Sequence, residues 1–310
     1  MILPARAGRD LKSRATYRVA VLAALACFAA ASFIMGLRFG SLRLPLPDLI
    51  SVLGGGGSAV QRQILLNVRL PRNIAAALVG VCLSLSGLLL QGVMRNPLAA
   101  PNLIGVTGGG GLAAMVILIA LPNYYALLVP AAFLGALSAT GLIYALAWKR
   151  GVRPTRMILA GVAVSSLLGA CINGLMIFFP DRVSGVVDYM VGGLAGRTWK
   201  HVRMLWPYAA VGTAGAFLMA TRLNILALGD DTATALGLSV ERTRALLIAI
   251  ASMLAAAAVS VAGLLGFVGL IAPHMMRALV GSDHRILVPA TALFSRSEER
   301  RVGKECRSRW

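Results

Sequence analysis

The sequence predicts an all-α protein that crosses a membrane several times, and three observations carry that expectation. Hydrophobic residues make up 58% of the 310 residues and charged residues 13%, against about 25% charged in a typical soluble domain. Mean hydropathy is +0.80. The apolar residues gather in runs of about twenty, the length that spans a bilayer core as a helix. Lipid offers no partner to backbone N–H and C=O groups, so only helices or closed barrels cross it. The runs lack the period-two alternation of barrel strands, which leaves helices.

The N-terminal stretch carries Arg6, Arg9, Lys12, Arg14 and Arg18, then an apolar run at 19–37. A secretory signal shares this order, but the run is longer than a signal core and lacks a clear small-residue cleavage site. A first span with a cytoplasmic N-terminus is expected. Further runs at 73–93, 103–121, 125–147, 155–179, 205–221, 245–263 and 265–280 bring the expectation to eight spans. The last is short and contains Pro273, which predicts a broken or tilted helix. Ala76, Gly80 and Ser84 repeat at four-residue spacing, a pattern that lets helix backbones approach closely. The glycine runs at 54–57 and 108–111 read as turn or helix-entry material. Neither precedes Lys-Ser/Thr, so neither is a phosphate-binding P-loop.

Orientation follows from loop charge. With the N-terminus inside, the inner segments hold fifteen Lys and Arg and the outer segments nine, as the positive-inside rule requires. The outer segments are still basic, above all at 62–72, which the rule does not anticipate. The net charge of +19 therefore reflects loops, and no basic patch carries the interleaved aromatics of a nucleic-acid surface. Cys27, Cys82 and Cys171 lie in apolar runs and read as small buried hydrophobes; with Cys306 they form no CxxC pair.

The eleven acidic residues all fall outside the apolar runs. Proton- and sodium-coupled carriers commonly hold a carboxylate at depth, so an ion-coupled carrier is disfavoured, although backbone carbonyls can also bind sodium. His201, His274 and His284 form no metal-binding pattern, and no paired carboxylates or nucleophile elbow are visible. Catalytic residues, metal ligands and directly bound cofactors are not expected. Uphill transport would then draw its energy from another polypeptide.

The handle for such a partner is the segment 228–238. Asp230 or Asp231 can cap a short helix, and Gly237 suits the left-handed residue that ends it. Leu228, Leu236 and Leu238 supply apolar docking surface. An ordinary interfacial turn would share this pattern; the sharper reading is a coupling helix that fits a cleft on a cytoplasmic ATPase.

Four separated segments carry a family likeness. They are RLPR at 69–72, GLLLQGVMRNPLAAPNLIGVTGG at 87–109, LALGDDTATALGLSV at 226–240 and GLLGFVGLIAPHMMRALVGSDHRILVPATAL at 263–293. Over about 1–294 the chain resembles the FecCD/BtuC-like permeases, the membrane subunits of type II ABC importers for iron–siderophores, haem and cobalamin. The resemblance implies a ten-helix bundle, of which about eight helices are present. It implies a second permease subunit, homo- or heterodimeric, two ABC ATP-binding subunits that use the ATP, and a periplasmic or lipid-anchored binding protein. It places the complex in the bacterial inner membrane.

The resemblance assigns Gly229, Asp230, Asp231, Ala235, Leu236, Gly237 and Leu238 to ATPase coupling. Arg69 and Arg72 become docking candidates for carboxylates of the binding protein, a task that suits guanidinium groups; snorkelling at a helix end is the plainer reading. Asn96, Pro97, Gly266, Gly269, Pro273 and His274 are marked as structural or gating positions. Ferric siderophores are the favoured substrates, with cobalamin or haem import, or an ion-coupled carrier, as alternatives. The charged stretch 295–310 departs from the pattern and reads as a non-native or out-of-frame tail after a truncated 1–294 permease domain. Weak transport by the 310-residue form is expected, and full uptake in a permease-deficient host would sink that expectation.

Overall fold

The computed structural model describes residues 5–39, 45–149 and 154–305. Arg43, Arg150, Arg153 and residues 306–310, Cys306 among them, lie outside the described residues, as do the side chains of Arg6, Arg9, Lys12, Arg14, Asp188 and 296–305. The elements are α1 (Ala5–Arg38), α2 (Leu46–Leu53), α3 (Ala59–Arg62), α4 (Leu70–Met94), α5 (Val106–Met115), α6 (Leu128–Ala147) and α7 (Pro154–Phe178). They continue as α8 (Val187–Val191), α9 (Trp199–Ala227), α10 (Asp230–Ala235), α11 (Val240–Ala262), α12 (Val268–Val280) and α13 (His284–Glu305).

All eight expected spans are helical. Six helices are long and apolar enough to cross a membrane; the segments Val106–Ala120 and Val268–Val280 are shorter. α4 is the axis of the bundle and packs on α9, α11, α12 and α13. From Cys82 to Met94 its side chains are buried on every face, as expected of a helix that is apolar all round. α11 is similarly enclosed, whereas α1 and α7 turn most of their surface outward. Cys27 and Cys171 sit on those outward surfaces, which corrects the expectation that they are buried; Cys82 alone of the three is enclosed.

Of the two glycine runs, 54–57 forms a turn and 108–111 enters a helix. Gly108–Gly111 lie in the first turns of α5, and α5 and α6 touch there backbone to backbone: a Cβ on Gly109 would stand 2.3 Å from the Gly135 carbonyl oxygen. Pro273 does not break its helix; α12 runs through it. The carbonyl that loses its partner four residues earlier is that of Gly269, and it presses on Gly87 of α4, where a Cβ would lie only 1.7 Å away. Glycine on both helices lets α4 and α12 meet at the kink-prone turn.

A seven-residue π-helical stretch, Gln63–Arg69, joins α3 to α4. Leu70 N–H bonds to Leu65 O, five residues back. The next donor in that series is Pro71, which has no N–H. The orphaned Leu66 carbonyl takes the indole N–H of Trp199 instead, at 2.9 Å, so one missing proton fixes the start of α9 against the start of α4.

Candidate functional site

The polar side-chain bonds collect in clusters at the two ends of the bundle. At one end lies α10. The expected aspartate cap is absent: Gly229 is the N-cap, at φ +115°, and no side chain caps the helix. Asp230 and Asp231 occupy the first turn, where negative charge opposes the positive end of the helix dipole. The Asp230 carboxylate is engaged elsewhere. Arg244 Nη2, on α11, donates to both its oxygens at 3.0 and 3.1 Å, and Arg95 Nη2, just beyond α4, donates to Oδ1. Arg244 is buried and also lies 3.7 Å from Glu241.

α10 closes as expected at Gly237, φ +80°. Gly237 N–H bonds to Thr234 O and Leu238 N–H to Ala233 O, both at 2.9 Å, the paired bonds of a Schellman end. Ala233 faces inward and Leu238 packs on the main core. Leu238 therefore anchors the turn and is only partly exposed. Leu228 and Leu236 stay more than half exposed, beside exposed Asp231 and Ala235.

α4 ends in the same way. Arg95 N–H bonds to Gly92 O and Asn96 N–H to Gln91 O, but the left-handed residue is Arg95, at φ 48°. A side chain there costs about 1–2 kcal/mol relative to glycine. Asn96 Oδ1 accepts Leu98 N–H at 2.9 Å, which fixes an Asx turn with Pro97 and Leu98 exposed. From α12, Arg277 Nη1 donates to Gln91 Oε1 at 3.2 Å, and Gln91 Nε2 to Leu270 O at 3.3 Å. Pro273 is buried, His274 exposed, Gly266 exposed and Gly269 buried against Leu83 and Pro101.

A third cluster at this end joins α9 to α13. Asn224 Nδ2 donates to Asp283 Oδ1 at 2.8 Å. Asn224 Oδ1 accepts the His284 backbone N–H at 2.9 Å and the imidazole Nδ1–H at 2.7 Å. Burial, aided by the Arg277 charge and opposed by Asp283, pulls the His284 pKa down to about 4. Burial disfavours ionised Asp283, but the bonds from Asn224 and Arg285 N–H and the charges of Arg285 and Arg18 hold its pKa below the usual value.

The opposite end holds the sequence-predicted arginines, and the structure separates them. Arg69 is buried; its Nη1 donates to Leu37 O at 2.7 Å and Arg38 O at 3.2 Å, so it caps the last turn of α1. Arg72 is exposed. Arg62 Nε donates to Gly56 O at 2.9 Å within the glycine turn. Arg182 Nη1 donates to Ile119 O, beyond α5. Between the two ends, an open depression of about 420 Å³ lies where α7 packs on residues 102–108. Its wall is mostly apolar, with Leu103, Val162, Ile172 and Leu264, and Asn102, Thr107, Ser165 and Ser166 add uncharged polar groups.

The partners of Asp230 were not legible as such. Arg95 is adjacent to the quoted Asn96-Pro97 pair, and Arg244 lies one turn into α11, but nothing in their spacing joins them. Among the described residues no group of three or more His, Cys, Asp or Glu side chains could hold a metal.

A family model described as the FecCD transport family matches residues 27–297. The cobalamin import system permease protein BtuC of Halobacterium salinarum is 44% identical over 73% of the chain, a match that spans 62% of that protein. The iron(3+)-hydroxamate import system permease protein FhuG of Bacillus subtilis is 34% identical over 92% of the chain and 87% of its own length. A solved structure titled as an inward-facing conformation of a metal-chelate type ABC transporter superposes with a TM-score of 0.84 at 29% identity, covering 93% of this chain and 90% of that one.

Proposed function

The chain belongs to the FecCD transport family, and on that premise we propose that it is the membrane permease subunit of an ATP-driven importer for ferric siderophores. The observation that carries the reading is α10. It is a polar helix too short to cross the bilayer, closed by a glycine at each end, seated on the bundle by Ala233 and Leu238 and offering Leu228, Asp231, Ala235 and Leu236 outward. That surface suits an ATPase cleft. Among the described residues the membrane-length spans supply no ion-coupling carboxylate at depth: their one acidic residue, Glu241, stands in the first turn of α11.

In this reading the α10 end and the N-terminus are cytoplasmic, and the Arg72 end faces the binding protein. Arg72 retains the docking role, while Arg69 secures α1 behind it. A second permease subunit completes the pathway, and the chain binds no cofactor. The uncharged, mostly apolar cleft by α7 suits a metal whose charge its chelator has already neutralised. ATP binding would close the ATPase pair, move α10 and rock the bundle between its two openings.

The archaeal relative favours a second reading, cobalamin import. Reconstitution with the ATPase and binding protein that co-purify with the chain separates them. Uptake of radioiron as its hydroxamate or citrate complex, dependent on ATP, is the expected result, and uptake of radiocobalt-labelled cobalamin alone would replace the substrate. Uptake that ignores ATP and collapses with an uncoupler would replace the mechanism with an ion-coupled one.

A further inference from the structure

We propose that Arg95 is a positioning residue that ties α10 to the Asn96–Leu98 turn, so that the two move as one body. The proposal rests on the reading of α10 as the ATPase handle. α10 is flanked by Gly229 at φ +115° and Gly237 at φ +80°, backbone positions that can swing without side-chain hindrance. The described side-chain hydrogen bonds that leave α10 all run from Asp230, to Arg95 and to Arg244. Beyond the apolar seat of Ala233 and Leu238, the described side-chain ties that orient it are those two guanidinium groups.

The two arginines are not equivalent. Arg244 is buried on α11 with its side chain 2% exposed, and Arg95 is 37% exposed at the end of a different helix. Arg244 is thus the fixed pivot, and Arg95 the arm that reaches a second element. Independent support comes from the backbone. Arg95 occupies a left-handed position where glycine would relieve strain, and strain of this kind persists where the side chain has a task. The next residue, Asn96, stiffens the turn through its bond to Leu98 N–H. A displacement of Asp230 is passed through Arg95 to a rigid turn and not absorbed in a flexible loop. Two Schellman ends joined by one carboxylate form a link between the outer handle and the end of the central helix.

The test uses spin labels on Leu98→Cys and Leu236→Cys, both exposed, in a chain carrying Cys27→Ser, Cys171→Ser and Cys306→Ser in lipid nanodiscs. A narrow 98–236 distance distribution is expected. Arg95→Gln should widen it about twofold by freeing the glycine-flanked helix, Arg95→Lys should restore it, and the melting temperature should not move. An equally narrow distribution in Arg95→Gln, or failure of Arg95→Lys to restore it, overturns the tether. With the ATPase bound and trapped by ATP and vanadate, the separation should hold in the parent and shift in Arg95→Gln. A shift in the parent also overturns it. Failure of the unlabelled chain, with Leu98 and Leu236 intact, to capture any ATPase would instead remove the handle reading, while the free-chain distances still decide the tether.

Discussion

Replacing Gly87 with alanine sets a methyl carbon 1.7 Å from the carbonyl oxygen of Gly269, 2.5 Å from its carbon and 2.8 Å from its Cα. A comfortable carbon–oxygen contact needs about 3.3 Å, so α4 and α12 must part by about 1.6 Å. All three obstacles are backbone, and none can rotate away. Overpacking of this kind costs about 1–3 kcal/mol. Separation also stretches the Gln91–Leu270 and Arg277–Gln91 bonds, each worth about 1 kcal/mol or more. The expected loss is about 3 kcal/mol, or roughly 6 °C in melting temperature for a chain of this size. Gly141 on α6 is the control, since a Cβ there meets nothing within 4 Å, and alanine should be neutral or stabilise by up to about 1 kcal/mol. Thiol-dye melting in detergent, read through Cys82, reports both. A Gly87→Ala melting point equal to the parent's, or one above that of Gly141→Ala, would refute the backbone contact.

Three further outcomes follow from the same geometry. His284 is neutral in the fold down to about pH 4, whereas an unfolded histidine protonates near pH 6.5. The unfolded state binds more protons between those values, so stability is lost as pH is lowered from about 6.5 toward 4, by about 2 kcal/mol at pH 5; a melting-point series should show the slope, and His284→Gln should flatten it. Gly237→Val forces a β-branched residue to φ +80°, costs about 1–2 kcal/mol locally and should lower substrate imported per ATP; unchanged stoichiometry would count against α10 as the handle. Arg69→Ala uncaps α1 and should cost about 2 kcal/mol of stability, while Arg72→Ala should leave melting unchanged and weaken capture of the binding protein in a pull-down. The reverse pattern would exchange their roles.

Much of the fold was legible because its signals are one-dimensional. Lipid demands long apolar helices, so run length located the six membrane-length helices and the two shorter apolar ones, and Gly237 marked the end of α10 because a left-handed turn excludes most side chains. Boundaries were less legible where polar residues extend a helix beyond the bilayer: the run at 73–93 belongs to a continuous helical rod, Ala59–Met94. Pro273 departs from its local preference for a helix break, and the glycines at 108–111 enter a helix instead of forming a turn. In both places a neighbouring helix far away in sequence needs the close approach that a missing Cβ allows, at Gly87 against Gly269 and at Gly109 against Gly135.

The candidate site divides along the same line. By itself the sequence determined the class of protein, the acid-free spans and the existence of a short polar helix between two of them. Those features depend on what each residue is and on its near neighbours. Tertiary structure decided which charges meet. It gave Asp230 to Arg95 and Arg244, spent Arg69 on the end of α1, left Arg72 exposed and brought Asn224, Asp283 and His284 together. These pairings span 14 to 135 positions. Coulomb attraction and hydrogen bonding act over a few ångströms of space, and only the packing of the helices determines which distant residues come within that reach.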